Sequence, residues 1–309
     1  MSDQPTQPPA PAVSVIVPAF NAGATIERAL RSVLEQDFAD LEVIVVDDAS
    51  RDDTVARAEA IGDNRVRILR RERNGGAAAA TNSGIAAARG ELIAFQDADD
   101  EWLAGKLGRQ VEMIRADPDM SFVCTGLAHV YPRETVDDIA GFTPGDELWK
   151  DFLAATLVAK PCVLVRREAL DQAGPFDESL PTAEDQDMWI RLALQGRVAE
   201  LPEILVRAHR QPHSLSSRDP MAGSKHVLSM VQRHLVALGD RLTATERRHI
   251  LGRRYSSAGR LCYGNGRYAA GAAYLAAAIV RGHRPVENFA YLMSASPPAR
   301  WLKGIVRRG

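Results

Sequence analysis

Short apolar runs alternate with segments of helical periodicity along the first hundred residues. The apolar runs cover residues 13–17, 41–46, 66–69 and 92–95, and helical spacing is clearest over residues 26–34. Runs of this length are typical of strands that are buried on both faces. The alternation therefore predicts an α/β fold with a mainly parallel sheet, right-handed crossovers and helices on both faces.

Composition divides the chain into three parts. Residues 1–12 are rich in proline and predict a disordered tail. Residues 13–217 carry the α/β pattern, with further strands predicted at 122–124, 162–165 and 201–206, while the mixed stretch 131–160 fits neither period. Residues 218–309 show only helical patterns, with a capping box at Thr243 and an Ala-rich helix over 267–281 that Gly282 ends.

The two larger parts carry opposite charge. Residues 1–217 contain 22 Lys and Arg against 36 Asp and Glu, a net of −14, whereas residues 218–309 contain 16 against 4, a net of +12. An excess of this size predicts that the helical part contacts anionic lipid headgroups. The alternative is that its helices pack on the α/β domain or on a second copy of the chain. Nucleic acid is not expected as a partner, because no binding motif or aromatic interleaving accompanies the charge.

Cysteine usage and apolar stretches indicate the compartment. Cys124, Cys162 and Cys262 lie far apart in apolar contexts, which predicts buried free thiols in a reducing compartment. The longest nearly uncharged apolar stretch, residues 269–280, is too short to span a membrane, and the N-terminal tail lacks a signal-peptide pattern. We therefore expect a cytoplasmic protein that is at most peripheral on the inner face of the membrane.

Carboxylates follow the fourth predicted strand. Asp97 and Asp99 come directly after residues 92–95, where two neighbouring carboxylates need a positive partner. Mg²⁺ binds one or two carboxylates together with substrate phosphates, so the pair predicts a metal–diphosphate site at the carboxyl edge of the sheet. The alternative is an acidic loop in solvent. Asp100 and Glu101 are expected to face solvent or to cap the next helix.

Six motifs in order make residues 13–217 resemble a family 2 glycosyltransferase of the GT-A fold. They are VSVIVPAFN from Val13, VVDDASRDD from Val45, Asn74 with Gly75 and Gly76, ATNSG from Ala80, GELIAFQDADD from Gly90, and Ala183-Glu184-Asp185. This chain departs from the family pattern at Phe20, Thr81 and Ala183, where Tyr, Arg and Gly are usual. The resemblance implies inverting transfer of a sugar from a nucleotide sugar, foremost a UDP-sugar, to a glycan or lipid-linked acceptor in cell-surface polysaccharide synthesis.

The resemblance also implies roles for residues that follow the strands. The implied nucleotide-binding residues are Pro18, Ala19, Phe20, Asp48 and Asp97. Asp48 would accept a hydrogen bond from a uracil ring, whereas Asp47 is expected to make only turn contacts. Asp99 would hold the metal ion, Mg²⁺ or Mn²⁺.

The implied phosphate-binding and catalytic residues lie in other segments. Gly75 and Gly76 either cradle phosphate at a helix N-terminus or simply start the helix, and Arg210 and His213 are implied to contact the diphosphate. Two further acidic residues complete the implied site: Asp185 would take the proton of the acceptor hydroxyl, and Glu184 would orient the acceptor. Without the resemblance, the preferred interpretation of this acidic pair would be a favourable interaction with a helix dipole.

Two other functions agree with parts of the pattern. A degenerate nucleotide-sugar-binding or scaffold protein would share the fold, but it would not need both Asp99 and Asp185. A sugar-phosphate nucleotidylyltransferase would need a Gly-rich signature with basic residues after the first strand, and residues 18–23 contain no basic residue. The Gln-x-x-Arg-Trp motif of processive enzymes is also absent, so a single addition is expected.

Overall fold

Two units share the part of the chain that the computed structural model describes, which comprises residues 10–142, 145, 147–209 and 220–295. One unit comprises residues 1–148 and 158–211, and the other comprises residues 149–157 and 212–309. The segment 149–157 therefore interrupts the first unit in sequence and belongs to the second in space. Most of the predicted disordered tail, residues 1–9, lies outside the described residues.

A nine-stranded sheet forms the centre of the first unit. Its strands are β1 Val13–Ala19, β2 Leu41–Asp47, β3 Val66–Arg70, β4 Leu92–Phe95, β5 Glu101–Trp102, β6 Met120–Val130, β7 Thr135–Asp138, β8 Leu164–Arg166 and β9 Arg197–His209. They lie in the order β3-β2-β1-β4-β8-β6-β9-β5, and β7 pairs with β6. The strands β3, β2, β1 and β4 are parallel, as is the pair of β6 and β9. The antiparallel strand β8 joins these two parallel groups.

Eleven helices are described in the two units. They are α1 Ile26–Leu34, α2 Thr54–Glu59, α3 Gly76–Ala87, α4 Lys106–Ala116, α5 Trp149–Ala154, α6 Arg167–Ala173, α7 Glu184–Ala193, α8 Pro220–Ala237, α9 Ala244–Gly264, α10 Tyr268–Val280 and α11 Pro285–Ala295. Two 3₁₀ turns, η1 Lys160–Cys162 and η2 Gly239–Arg241, complete the described elements. Helix α5 and helices α8 to α11 belong to the second unit. The predicted α/β class with a C-terminal helical region is thus confirmed.

The apolar runs of the sequence are the buried strands of the sheet. Six of the seven residues of β1 and all seven residues of β2 are buried. Burial of this kind on both faces explains why these strands read as continuous apolar runs rather than as alternating ones. The first strand extends beyond the predicted run 13–17, because Pro18 and Ala19 continue it opposite Val46 and Asp47.

An aromatic cluster fastens α7 to the sheet. The Trp189 ring of α7 is almost completely buried, with its centroid 5.9 Å from Phe95 of β4 and 5.6 Å from Phe122 of β6. Phe176 packs edge-on against both Phe95 and Trp189. Aromatic residues bury large areas, so this cluster determines where α7 lies relative to the end of β4.

The second unit is organised around a buried arginine. The Arg254 guanidinium of α9 donates to the carbonyls of Phe152, Leu153 and Ala155 at the C-terminal end of α5. Carbonyl groups at a helix C-terminus attract cations, while burial lowers the pKa of Arg254 to about 9. These contacts hold the segment 149–157 in the helical unit. The predicted capping box at Thr243 is confirmed by reciprocal bonds with Glu246.

Two expectations about the compartment can be compared with the structure. Cys124, Cys162 and Cys262 are buried free thiols, as predicted. Among the described residues, we find no helix with both the length and the apolar character needed to cross a bilayer.

Candidate active site

The loops after β1 and β2 lie side by side at the carboxyl edge of the sheet. The Asp48 N–H donates to the Ala19 carbonyl at 2.8 Å, which joins two of the predicted nucleotide-binding segments. Phe20 follows β1 with 49% of its surface exposed, so its ring is available for contact with a ligand. The carboxylate of Asp47 accepts the Ser50 N–H, which is the turn contact expected for it.

The Asp48 carboxylate binds the start of α3. Its two oxygens accept the N–H groups of Gly75 at 3.0 Å and of Gly76 at 2.8 Å, and Arg71 donates to Oδ1 at 2.6 Å. Of the two expectations for Gly75 and Gly76, the structure agrees with the helix start, because they begin α3 and their amides bind the Asp48 carboxylate. Asp48 thereby uses three of about four acceptor positions, which leaves one for a ligand donor.

The acidic loop after β4 is more buried, and makes more contacts with the protein, than predicted. Asp97 and Asp99 are partly exposed, but Asp100 is buried and its Oδ1 accepts the His209 N–H at 3.2 Å. Glu101 belongs to β5, which pairs with β9, and its carboxylate lies 3.2 Å from His209 Nε2. The expectation that Asp100 and Glu101 face solvent or cap α4 was wrong. They fasten the loop to β9 instead.

The surroundings of Asp99 fit a metal ion that takes few ligands from the protein and most of its ligands from water and substrate. Asp99 offers one partly exposed carboxylate, and the Arg28 guanidinium fixes its backbone by donating to its carbonyl oxygen. No group of three His, Cys, Asp or Glu side chains suited to a metal ion occurs in the described part of the chain. Mg²⁺ typically binds one or two carboxylates and completes its shell with water and phosphate oxygens.

The acidic pair Glu184 and Asp185 opens helix α7. Ala183, the residue before the helix, has a φ of +72°, which turns the chain sharply into the first helical turn. Loss of solvation and the neighbouring Glu184 raise the pKa of Asp185 to about 7, against the opposing effect of Lys160. A carboxyl group that titrates near neutrality is suited to proton transfer.

Lys160 is a site residue that the sequence prediction missed. It lies on η1, is 7% exposed, and its Nζ is 3.5 Å from Asp97 Oδ1. Burial alone would lower its pKa, but the charges of Asp97, Glu184 and Asp185 raise the pKa above the usual value. The only sequence signal was a lysine directly before Pro161 and an apolar strand, in a stretch without clear periodicity.

The structure thus brings the predicted residues into two groups at one edge of the sheet. Hydrogen bonds join Ala19, Asp48 and the start of α3 in one group. In the other group, Lys160 forms an ion pair with Asp97, and the charges of the acidic pair of α7 contribute to its pKa. Arg210 and His213, predicted to contact phosphate, lie outside the described residues, as does the last segment of the chain from residue 296.

Comparisons with known proteins identify the family of the chain. The sequence model of glycosyl transferase family 2 matches residues 14–172. TuaG of Bacillus subtilis, named for teichuronic acid biosynthesis, is 33% identical over 220 residues, which are 70% of this chain and 85% of that protein. WfgD of Escherichia coli, named as a UDP-Glc:alpha-D-GlcNAc-diphosphoundecaprenol beta-1,3-glucosyltransferase, is 42% identical over 189 residues, 61% of this chain and 72% of that protein.

Solved structures share the fold. S. aureus TarS in complex with UDP-GlcNAc superposes with a TM-score of 0.68 at 22% identity, covering 96% of this chain and 92% of that one. The mannosyltransferase PcManGT from Pyrobaculum calidifontis, in complex with GDP-Man and Mn²⁺, gives a TM-score of 0.63 at 21% identity, with coverages of 97% and 85%. At these identities the likeness shows a common GT-A fold.

Proposed function

The chain belongs to glycosyl transferase family 2, and from that membership we propose that it transfers a sugar from a UDP-sugar to a hydroxyl of a lipid-linked glycan. The observation that carries this proposal is the ion pair between Asp97 and the buried Lys160, whose pKa also reflects the charges of Glu184 and Asp185 at the start of α7. Relatives named for teichuronic acid and for succinoglycan biosynthesis place similar enzymes in cell-surface polysaccharide synthesis.

The donor is proposed to lie along the carboxyl edge of β1, β2 and β4. Phe20 offers an exposed ring beside which a base can stack, and Asp48 retains one acceptor position for a ring N–H. Uracil has such a ring N–H between two carbonyls. UDP is named for both WfgD and the TarS complex, which supports UDP ahead of GDP.

We assign the metal to Asp99 and the donor sugar or ribose to Asp97. Asp99 would hold Mg²⁺ or Mn²⁺ together with the diphosphate, and a divalent cation there would neutralise the charge of the departing nucleotide. Asp97 is held by Lys160 at the same end of β4, with part of its carboxylate facing solvent. Its remaining acceptor positions are available to sugar hydroxyls.

Asp185 is the proposed base of an inverting reaction. The acceptor hydroxyl must lose its proton as it attacks the anomeric carbon, and a carboxylate with a pKa of about 7 holds a proton well enough to accept it near neutral pH. Glu184, the neighbouring residue in the first turn of α7, would orient the acceptor. Both roles require the acceptor to approach over the N-terminus of α7.

The helical unit is proposed to bring the enzyme to an anionic membrane surface. Val286, Phe289 and Met293 lie on one face of α11, and each is more than half exposed. Residues 218–309 carry a net charge of +12, and each Lys or Arg near an anionic surface contributes about 1 kcal/mol. A second copy of the chain is the competing partner for this face.

A donor screen tests the proposed activity. The protein is incubated with UDP-glucose, UDP-GlcNAc, UDP-galactose, UDP-glucuronate or GDP-mannose, with Mn²⁺ or EDTA, and the released nucleotide is measured with and without a diphosphoundecaprenol-linked sugar. We expect metal-dependent release of UDP that the acceptor accelerates and that Asp185→Asn abolishes. Nucleotide binding without release would favour a binding protein, and pyrophosphate release from UTP and a sugar phosphate would favour a nucleotidylyltransferase.

A further inference from the structure

A buried lysine stands among carboxylates at the centre of the candidate site. Lys160 is 7% exposed, and its Nζ lies 3.5 Å from Oδ1 of Asp97. The charges of Glu184 and Asp185 also raise its pKa, so carboxylates from two separate elements act on one cation. Removing an ammonium group from water is costly, and an apolar side chain of similar volume would fill the space without that cost. The positive charge therefore calls for a reason beyond packing.

Hydrogen bonds from two buried side chains fix the backbone of the turn that carries Lys160. Trp102 Nε1 donates to the Pro161 carbonyl at 3.0 Å, and Gln110 Nε2 donates to the Cys162 carbonyl at 2.9 Å. Both donors belong to buried residues, on β5 and on α4. The turn η1 is thus a fixed support from which the lysine side chain reaches the carboxylates.

Building on the proposed function, we propose that Lys160 is a positioning residue for the transfer reaction. Its ammonium group holds the Asp97 carboxylate at the donor end of the site and supplies positive charge to the acidic pair of α7. The donor-side and acceptor-side carboxylates thereby share one counter-ion. A neutral residue at position 160 leaves these negative charges to repel each other.

Removing the positive charge of Lys160 should have two consequences that a purely packing role would not have. Without the ammonium group, Asp97 loses the partner that orients it, and a misplaced carboxylate weakens transition-state contacts more than donor binding. Asp185 also loses the positive charge that lowers its pKa, while the charges of Glu184 and Asp97 still raise it. Its proton then leaves only at higher pH, because an opposite charge favours the ionised carboxylate.

The test compares three variants of the full-length protein. Lys160→Met removes the charge at similar length, Lys160→Gln keeps a polar group in case the methionine variant does not fold, and Lys160→Arg keeps the charge. We expect Lys160→Met and Lys160→Gln to lower kcat about 10- to 100-fold with a smaller change in donor KM. The acid limb of the kcat profile should move up by about 1 pH unit. Lys160→Arg should recover much of kcat and the original limb.

Lys106→Met is the matched control. Lys106 is also fully buried and lies near the same turn, but its Nζ donates to Gln110 and stacks on Trp102, and no site carboxylate contributes to its pKa. Its Gln110 and Trp102 partners also support η1, so a loss of kcat in this variant would reflect packing, whereas the acid limb should stay at the wild-type pH.

Separate results decide between the two proposals. If the wild type turns over a donor, and Lys160→Met and Lys160→Gln show the same kcat and the same acid limb, the role of Lys160 is overturned. The proposed function would then remain intact. Equal losses in the arginine and methionine variants, without a pH shift, would mean a structural role and would also overturn it. A wild type that neither binds UDP·Mn²⁺ in calorimetry nor turns over any donor would overturn the proposed function, and this role with it.

Discussion

Arg71 Nη1 donates to Asp48 Oδ1 at 2.6 Å, and this bond joins the end of β3 to the end of β2. The same carboxylate accepts the first N–H groups of α3, so a single buried aspartate connects two strands and a helix. Asp48 is therefore part of the architecture at this edge of the sheet, in addition to its proposed role in base recognition.

Replacing Asp48 tests that structural role. In Asp48→Asn, an amide group faces three donors and the negative charge is lost, so we expect the free energy of unfolding to fall by roughly 2–3 kcal/mol. Urea denaturation measures this change. Asp53→Asn is the control, because Asp53 forms only an exposed pair with Arg57, and its loss should hardly alter stability. Equal stability of the two variants would mean that the Asp48 contacts contribute little.

Asp99→Asn should abolish metal-dependent donor binding and leave the fold intact. An amide oxygen binds a hard divalent cation less strongly than a carboxylate does, and Asp99 is the proposed protein ligand. Calorimetry with UDP in the presence of Mn²⁺ or EDTA measures the effect, with circular dichroism as the check on folding. Unchanged affinity for UDP·Mn²⁺ would place the metal on another residue.

Asp185→Asn should keep donor affinity and lose transfer, because a base acts in the transition state. We expect kcat to fall at least about 100-fold. In the wild type, kcat should fall as pH drops below about 7, since the carboxyl must be ionised to accept a proton. A stopped assay with the true acceptor from pH 5.5 to 8.5 measures both. Near-normal kcat in the variant would identify another residue as the base.

Lys106→Met should stabilise the protein in a pH-dependent way. Burial lowers the pKa of Lys106 to about 7, whereas an unfolded lysine titrates near 10.4. The unfolded chain therefore binds more protons between these values, and the cost of the buried ammonium is complete below pH 7 and declines as pH rises. We expect a gain on the order of 2 kcal/mol at pH 6.5 that shrinks by pH 9.5. A gain that does not vary between these pH values in urea denaturation would contradict this reasoning.

Vesicle co-sedimentation tests the membrane surface of the helical unit. We expect binding to vesicles that contain phosphatidylglycerol, with loss in high salt because exposed charges are screened. Phe289→Ser combined with Met293→Ser should weaken binding, whereas Val236→Ser, at a still more exposed apolar position on α8, should not. Absence of binding at low salt, with dimers in analytical ultracentrifugation, would assign this face to a second copy of the chain.

The parts of the fold that follow from local pattern were predictable from the sequence. The strands β2 and β4 and the helix α1 were expected within one residue of their observed ends, because each is a single apolar run or a regular apolar stripe. Strand β5 was not expected. It has two residues, and its existence depends on pairing with β9 a hundred residues away.

Candidate site residues could be chosen from the sequence where the type of side chain indicates a role. They could not be chosen where the role depends on contact with a residue distant in the chain. Asp97 and Asp99 were chosen for their chemistry and their place after β4, and Asp185 was chosen for its match to the family motif; their roles stay predictions. The roles of Gly75 and Gly76 could not be decided from the sequence, since their amides bind Asp48, which comes 27 and 28 positions earlier in the chain. Lys160 was missed because the carboxylates that act on it, after β4 and at the start of α7, are distant in the sequence and come near it only in the fold.

Ala183 has one more consequence for the acidic pair. An alanine at a φ of +72° occupies a narrow left-handed region that costs roughly 1 kcal/mol, and it has far fewer neighbouring conformations than a glycine. The direction in which α7 leaves the loop is therefore set before any acceptor arrives. Glu184 and Asp185 therefore start from a fixed backbone, and a ligand bound there need not reduce the conformational entropy of this segment.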